Sequence, residues 1–244
     1  MSPVTLLTGA NGGLGLDLAA CFLKAGHRKI AFHHRSAPDK LVALLKEHDL
    51  SPESHLFSAD LTHEDEVRLL RESVESKLGP VQSLINLAGA SSNGMSWKLG
   101  LDEFRKIVDA NLTSTFLSCR EFIPGMRNAG NGRIVNVSSV VAFTGAAGAS
   151  HYCAAKAGIA GFTGAIALEL ASKKITANTI ALGYFDRGLI QSVPAEIQAK
   201  IKEKIPAQRF GEPKEIFSCL EWLLGDGGAY TTGQVIHING GLYS

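Results

Sequence analysis

A doubly wound α/β domain, one seven-stranded parallel sheet with helices on both faces, is the fold these 244 residues predict. Three observations predict it. Short runs rich in Val, Ile, Leu and Phe recur seven times along the chain. Stretches of helical length and pattern separate them, so successive strands are joined by crossovers and run parallel. A glycine-rich turn stands between the first run and the first helix. Right-handed crossovers then cover both faces of the sheet.

The elements follow in order. "VTLLT" (4–8) reads as a buried strand, with "TGANGGLG" (8–15) as its turn and "LGLDLAACFLKAG" as the first helix. "KIAFHH" (29–34) is the second strand, followed by a helix over 39–48. "SHLFSA" (54–59) is the third; Thr62 then reads as the N-cap of "THEDEVRLLRESVESKLG", with acids in the first turn to complement the helix dipole. "SLINLAG" (83–89) is the fourth strand, a helical zone covers 102–129, and "RIVNVSS" (133–139) is the fifth strand. An Ala/Gly-rich helix starts near Tyr152, and "ITANTIA" (175–181) and "QVIHIN" (234–239) complete the sheet. With no repeat, low-complexity tract or linker, we expect one domain over 1–244: a cofactor half to about residue 130 and a catalytic and substrate half beyond it.

Composition narrows the function classes. With 24 basic and 23 acidic side chains and a net charge of +1, nothing marks a nucleic-acid or membrane-surface protein. Cys21, Cys119, Cys153 and Cys219 lie far apart, as suits reduced thiols in a cytoplasmic protein better than a disulfide framework or a zinc site. His33, His34 and His151 have no third ligand at suggestive spacing, so no metal site is expected. The opening "MSPVTLLTGANGG" lacks a basic n-region, so no signal peptide is expected, and the apolar runs are too broken to span a bilayer.

The glycine turn carries the first chemical signal. Gly9, Gly13 and Gly15 let the backbone turn tightly and approach a diphosphate, while the helix start offers unpaired N–H groups. The spacing is G-x-x-x-G-x-G, and a glycine-rich turn alone also serves other nucleotide sites. At the end of the second strand, where an acid would hold a ribose 2′-hydroxyl, the chain has "HHRSAP" and no acid before Asp39. Arg35, with Ser36 as a further donor, suits a 2′-phosphate and so NADP(H) rather than NAD; the plain alternative is a solvated arginine. A third signal is "SSVVAFTGAAGASHYCAAKAG" (138–158), poor in reactive groups except Ser139, Tyr152 and Lys156. Tyr152 and Lys156, at i and i+4, share one helix face.

With these motifs in order, the chain resembles the classical short-chain dehydrogenase/reductase family, closest to the 3-oxoacyl-[acyl-carrier-protein] reductases. The resemblance rests on "TGANGGLG", "NLAG" (86–89), Asn111 in "DANLTSTF", "IVNVSS" with Ser139, "YCAAK", and the C-terminal "IPAQRFGEPKEI" and "YTTGQVIHINGG". It implies a Rossmann domain and an NADP(H)-dependent carbonyl reductase in which Asn111, Ser139, Tyr152 and Lys156 are catalytic. Tyr152 would donate a proton to the carbonyl, and the Lys156 ammonium should lower the tyrosine pKa. Ser139 would polarise the carbonyl, and Asn111 would hold a relay water. The implied cofactor contacts are Thr8, Gly9, Asn11, Gly13, Leu14, Gly15, Arg35, Ser36, Asp60, Leu61, Asn86, Ala88, Gly89 and Gly183, together with Tyr152 and Lys156. The plain alternatives are a helix-initiating acid for Asp60 and a strand-end stabiliser for Asn86. Ser139, Tyr184 and Arg187 would meet the substrate. The implied partners are a carbonyl substrate carried on acyl carrier protein or coenzyme A, and three further copies of the chain in a homotetramer.

The chain departs from the family pattern at "LGYFDRGLI" (182–190): Leu182 replaces a proline, which should free the start of the substrate loop, and Arg187 replaces a threonine. Arg187 suits an anionic substrate group, with cofactor phosphate and solvent as alternatives. Lys173 and Lys174 suit carrier-protein docking, but Gly130 stands where a further base is expected. The segment 193–210 reads as a mobile amphipathic lid helix. The alternatives are another alcohol–ketone pair, including a ring ketone or a catabolic oxidation, and a non-catalytic nucleotide-binding regulatory protein.

Overall fold

In the computed structural model, which describes residues 3–244, seven parallel strands hydrogen-bond in the order β3-β2-β1-β4-β5-β6-β7. They are β1 (Val4–Leu7), β2 (Ile30–His34), β3 (Leu56–Ser58), β4 (Val81–Asn86), β5 (Gly132–Ser139), β6 (Ile175–Leu182) and β7 (Val235–Ile238). The α-helices are α1 (Gly13–Lys24), α2 (Asp39–Glu47), α3 (Pro52–His55), α4 (Glu64–Leu78), α5 (Leu101–Val108), α6 (Ser114–Ala129), α7 (Val141–Thr144), α8 (Ser150–Leu170), α9 (Ala195–Lys204) and α10 (Pro213–Leu224). Met1 and Ser2, where the reading of the N-terminus begins, lie outside the described residues.

The sheet is apolar on both faces, as a parallel sheet under two helical layers must be. Leu7, Phe32, Ile85 and Val137 pack under α1, α2 and α10, where Leu18, Phe22, Leu41, Leu45 and Leu220 are buried. On the other face Leu6, Ala31, Leu84 and Ile134 meet Val67, Phe122, Met126 and Ile166 from α4, α6 and α8. Strand order reverses between β1 and β4, which opens a crevice at their carboxyl ends.

Four local expectations are corrected. The third strand is shorter than 54–59, because Pro52 starts a helical turn whose buried His55 bonds the Ile30 carbonyl at 2.8 Å. Thr62 does not cap α4: its N–H and hydroxyl both donate to Asp60 Oδ1, at 3.0 and 2.7 Å, so the hydroxyl is spent and the helix starts at Glu64. The helical zone 102–129 is broken by a π turn over Asp109–Thr113 that carries Asn111. Leu182 does not loosen the substrate loop. It is buried as the last residue of β6, beside Ser139 and Ile238, and its carbonyl accepts from Val140 N at 2.8 Å.

The segment Ser150–Lys173 is long and apolar enough to cross a membrane, yet α8 packs on β5, β6 and α5 with His151, Lys156 and Thr163 buried. Its apolarity therefore has a core use in this fold.

Candidate active site

The carboxyl ends of β1, β2 and β4 converge on the glycine turn. Thr8 joins two of them: its hydroxyl accepts from Leu87 N and Ala88 N at 3.1 Å each and donates to Ile85 O at 3.3 Å. Gly9 has φ +69°, and a Cβ there would lie 2.7 Å from Ala88 Cα; at Gly15 a Cβ would run into the Gly9 carbonyl. Only glycine permits this turn, whose close backbone packing is the cradle a dinucleotide diphosphate needs at a helix start. Asn11 ties the turn to the end of β2, donating to Ser36 Oγ at 3.2 Å and Ala37 O at 2.8 Å. Arg35 is largely exposed there, with Nη1 3.9 Å from Asp60 Oδ2. Burial raises the Asp60 pKa, but the Thr62 hydrogen bonds and the Arg35 charge outweigh it and hold the carboxyl below its usual range. Leu61 is buried.

His33 is a residue of this site that sequence reasoning missed. It is buried in β2, where its Nδ1 accepts from Gly9 N at 3.1 Å and its Nε2 donates to Ala59 O at 2.9 Å. That pattern requires the neutral Nε2–H tautomer. Burial lowers its pKa to about 4, opposed by the Ala59 carbonyl and Asp60 and aided by His34 and Arg35. The alternation of β2 could place His33 inward, but its partners, 24 and 26 residues away, were invisible. The other two histidines are used locally: His34 bonds Ser36 O at 2.9 Å, and His151 bonds Ser92 Oγ at 2.8 Å. Among the described residues no group of three His, Cys, Asp or Glu is placed to hold a metal.

Asn86 uses its amide nitrogen inside the sheet, while its Oδ1 is buried without a partner among the described residues. Its amide donates to Asn136 Oδ1 at 2.8 Å and to Cys119 Sγ at 3.4 Å, inside the layer between β4, β5 and α6. It stabilises the sheet.

Ser139, Tyr152, Lys156 and Asn111 come from β5, α8 and the π turn. Helix α8 is stitched to β5 by Ser138 Oγ donating to Lys156 O at 2.7 Å and by Lys156 Nζ donating to Val137 O at 2.9 Å. One turn earlier, Tyr152 stands beside Ser139, and Lys156 Nζ lies 5.7 Å from its ring centroid. Asn111 Nδ2 donates to Ala90 O and Ile107 O at 2.7 and 2.8 Å, which leaves its Oδ1 buried and unpartnered among the described residues. That oxygen faces Gly89, where a Cβ would collide with it and would stand 3.4 Å from Lys156 Nζ. A buried acceptor and a buried ammonium thus converge on a residue with no side chain. π turns recur at such sites because they re-aim one side chain out of helical register.

The electrostatics correct one expectation. Tyr152 is pushed up to about 12 by burial, which outweighs the Ser139 hydrogen bond. Lys156 is itself lowered to about 8 by burial, and its ammonium donates to the Val137 carbonyl, so burial sets the direction of the tyrosine shift. Tyr184 packs with Phe210 in a small cluster around Ile190 and Ile205, under the helix α9 of the expected lid. Gly183 approaches Asn239 so closely that a Cβ would lie 2.7 Å from its Cα. Arg187 is engaged by acids of its own chain: its Nε lies 3.2 Å from Asp17 Oδ2 on α1.

A parallel doubly wound sheet with a glycine turn at its switch point, and a Ser, Tyr and Lys set at the end of β5, defines a dehydrogenase-type oxidoreductase site. The chain belongs to the short chain dehydrogenase family, whose model it matches over residues 3–198. It is 35% identical over 237 residues to Nodulation protein G of Rhizobium sp. (strain N33), covering 97% of this chain and 95% of that one. It is 32% identical over 244 residues to 3-oxoacyl-[acyl-carrier-protein] reductase FabG of Staphylococcus epidermidis, covering 100% of both chains. It is also 32% identical to the protein of that name from Vibrio cholerae, over 98% of this chain and 97% of that one. The protein is an oxidoreductase whose family implies a nicotinamide nucleotide cofactor.

The His33 geometry predicts acid sensitivity. Its folded pKa of about 4 lies below the unfolded value near 6.5, so its contribution is fully present above pH 6.5 and is lost as pH falls toward 4. Between pH 7 and pH 5 this amounts to about 2 kcal/mol. Urea unfolding at both pH values should show that loss in the wild type and a smaller one in His33→Leu; equal slopes would remove His33 from the account.

Proposed function

We propose that the protein is an NADPH-dependent carbonyl reductase acting on the 3-keto group of an acyl thioester, with Tyr152 as the proton donor. The observation that carries this reading is the convergence of the buried Lys156 ammonium and the unpartnered Asn111 Oδ1 on Gly89, with Tyr152 one helical turn from Lys156. A bound reduced nicotinamide supplies the hydride. Ser139 and Tyr152 hold the carbonyl oxygen between two hydroxyl donors and stabilise the charge that develops on it. Tyr152, raised to about 12, keeps its proton at neutral pH and is available there as the donor. Lys156 stays mostly charged at pH 7, where it holds the nicotinamide ribose and refills the tyrosine, while Asn111 Oδ1 offers the acceptor for a relay water. Gly9, Gly13, Leu14 and Gly15 take the diphosphate, Arg35 and Ser36 the 2′-phosphate, and Asp60, Leu61, Ala88 and Gly89 the adenosine side.

The thioester reading draws on the two reductases that match 98% or more of the chain. The same chemistry on a ketone free of a carrier is the second reading. It is favoured by the absence of a base at Gly130 and by Arg187 turning to Asp17 rather than to a substrate. Assembly into a homotetramer is supported by the outer face of α6 and α8: Phe116 and Leu168 are exposed, and a Cβ at Gly161 or Gly164 meets nothing within 4 Å. A cytoplasmic location accords with four unpaired cysteines.

Three measurements test this. Purified protein should oxidise NADPH rapidly with a short 3-oxoacyl-CoA and slowly with a cyclic ketone; the reverse order would move the substrate to the second reading. Tyr152→Phe should lower kcat at least about 100-fold while leaving NADPH binding intact; surviving turnover would overturn the proton-donor role. Arg35→Asp should shift the NADPH/NADH preference by about tenfold or more toward NADH, and an unmoved ratio would free Arg35 from reading the 2′-phosphate.

A further inference from the structure

The segment after β6 lies across the first turn of α1. A Cβ at Gly13 would fall 2.9 Å from Gly188 Cα and 3.0 Å from Gly188 N, and a Cβ at Gly188 would stand 3.8 Å from Leu14 N. Gly188 has φ +70°, a conformation glycine adopts without strain. It therefore packs closely against Gly13 and Leu14 in the first turn of α1. One residue earlier, Arg187 reaches Asp17, one turn further along the same helix, with Nε 3.2 Å from Oδ2. Its Nη1 donates to Asp186 O at 2.7 Å, and the Asp186 carboxylate lies 3.9 Å away. These are the charged groups that face the guanidinium among the described residues. Arg187 and Asp17 are 46% and 32% exposed, so the ion pair is half solvated and easily exchanged.

Phe185 anchors the start of the segment in the layer under α1 and α10, and the residues beyond it have a support of their own. Ile190, Ile205 and Phe210 form a cluster of their own, apart from the apolar layers on the two sheet faces. Gln198 Nε2 ties α9 to it through Ile190 O and Val193 O at 3.1 and 2.8 Å.

We propose that Arg187 is a diphosphate clamp held in reserve by Asp17: its guanidinium leaves the Asp17 carboxylate for the diphosphate of the nicotinamide nucleotide, and the 187–192 segment moves with it. The inference rests on the reading of the α1 turn as the nucleotide site. A guanidinium fork matches two phosphate oxygens at once, and a diphosphate carries more negative charge than one carboxylate, so the exchange runs toward the ligand. The position that suited a substrate contact in the sequence is thereby assigned to the cofactor.

The test is a fluorescence or calorimetric titration of NADPH, NADH and adenosine 2′-monophosphate into wild type, Arg187→Gln and Asp17→Asn at fixed ionic strength. Arg187→Gln should weaken NADPH and NADH by the same factor, about tenfold, and leave adenosine 2′-monophosphate, which has no diphosphate, unchanged. Asp17→Asn removes the competing carboxylate and should tighten both dinucleotides a few-fold. NADPH affinity within about twofold of wild type in Arg187→Gln would overturn the clamp. Asp17→Asn weakening the dinucleotides as much as Arg187→Gln would also overturn it, because the pair would then only prop the segment. A wild type that binds neither NADPH nor NADH would instead overturn the nucleotide reading itself.

Discussion

Because all seven strands run in one direction, their carboxyl ends fall on a single edge of the sheet, and the groups that follow the strands gather on that edge. Thr8 and the glycine turn follow β1, Arg35 follows β2, and Asp60 follows β3. Gly89 follows β4, Ser139 ends β5, and Gly183 follows β6. The strand order reverses between β1 and β4, so the helices that follow them diverge to opposite faces and leave a crevice. The Thr8 hydroxyl bridges that crevice at its floor, fixing Leu87 and Ala88 against the Gly9 turn. The rest of the site is arranged around this one parallel edge.

The polar groups that serve the edge are mostly buried, and burial has set their protonation. His33 is locked neutral, with both ring nitrogens committed to backbone. Tyr152 is held protonated well beyond neutral pH, and Lys156 is brought down toward it by the same loss of water. A tyrosine that keeps its proton beside a lysine that remains charged suits proton donation to an oxygen that gains charge. The Asn86–Asn136–Thr163 chain, by contrast, uses its hydrogen bonds to join β4, β5 and α8. Two buried polar systems thus lie side by side, one reactive and one structural.

The region after β6 distinguishes this chain from the pattern it resembles. Leu182 extends β6 to the level of Ser139, where a proline would have no N–H for a ladder. The chain then turns back across α1, with Gly188 seated on Gly13 and Arg187 on Asp17. This segment therefore packs on the start of α1 as well as continuing from β6.

The sequence by itself determined what depends on neighbours along the chain. The apolar periods marked the seven strands, the glycine spacing marked the turn, and the four-residue step from Tyr152 to Lys156 put both on one face of α8. These follow from backbone geometry, which is local. Only the tertiary structure decided the rest. Asn86 braces the sheet because Asn136, fifty residues on, accepts its amide. His33 gained a role because Gly9 and Ala59 meet it in space. Arg187 found Asp17 across 170 positions of chain, and Asn111 was re-aimed by a π turn inside an expected continuous helix. The tyrosine pKa moved opposite to expectation because desolvation depends on how many atoms surround a group. Burial and long-range pairing are properties of the folded chain, and no spacing rule in one dimension carries them.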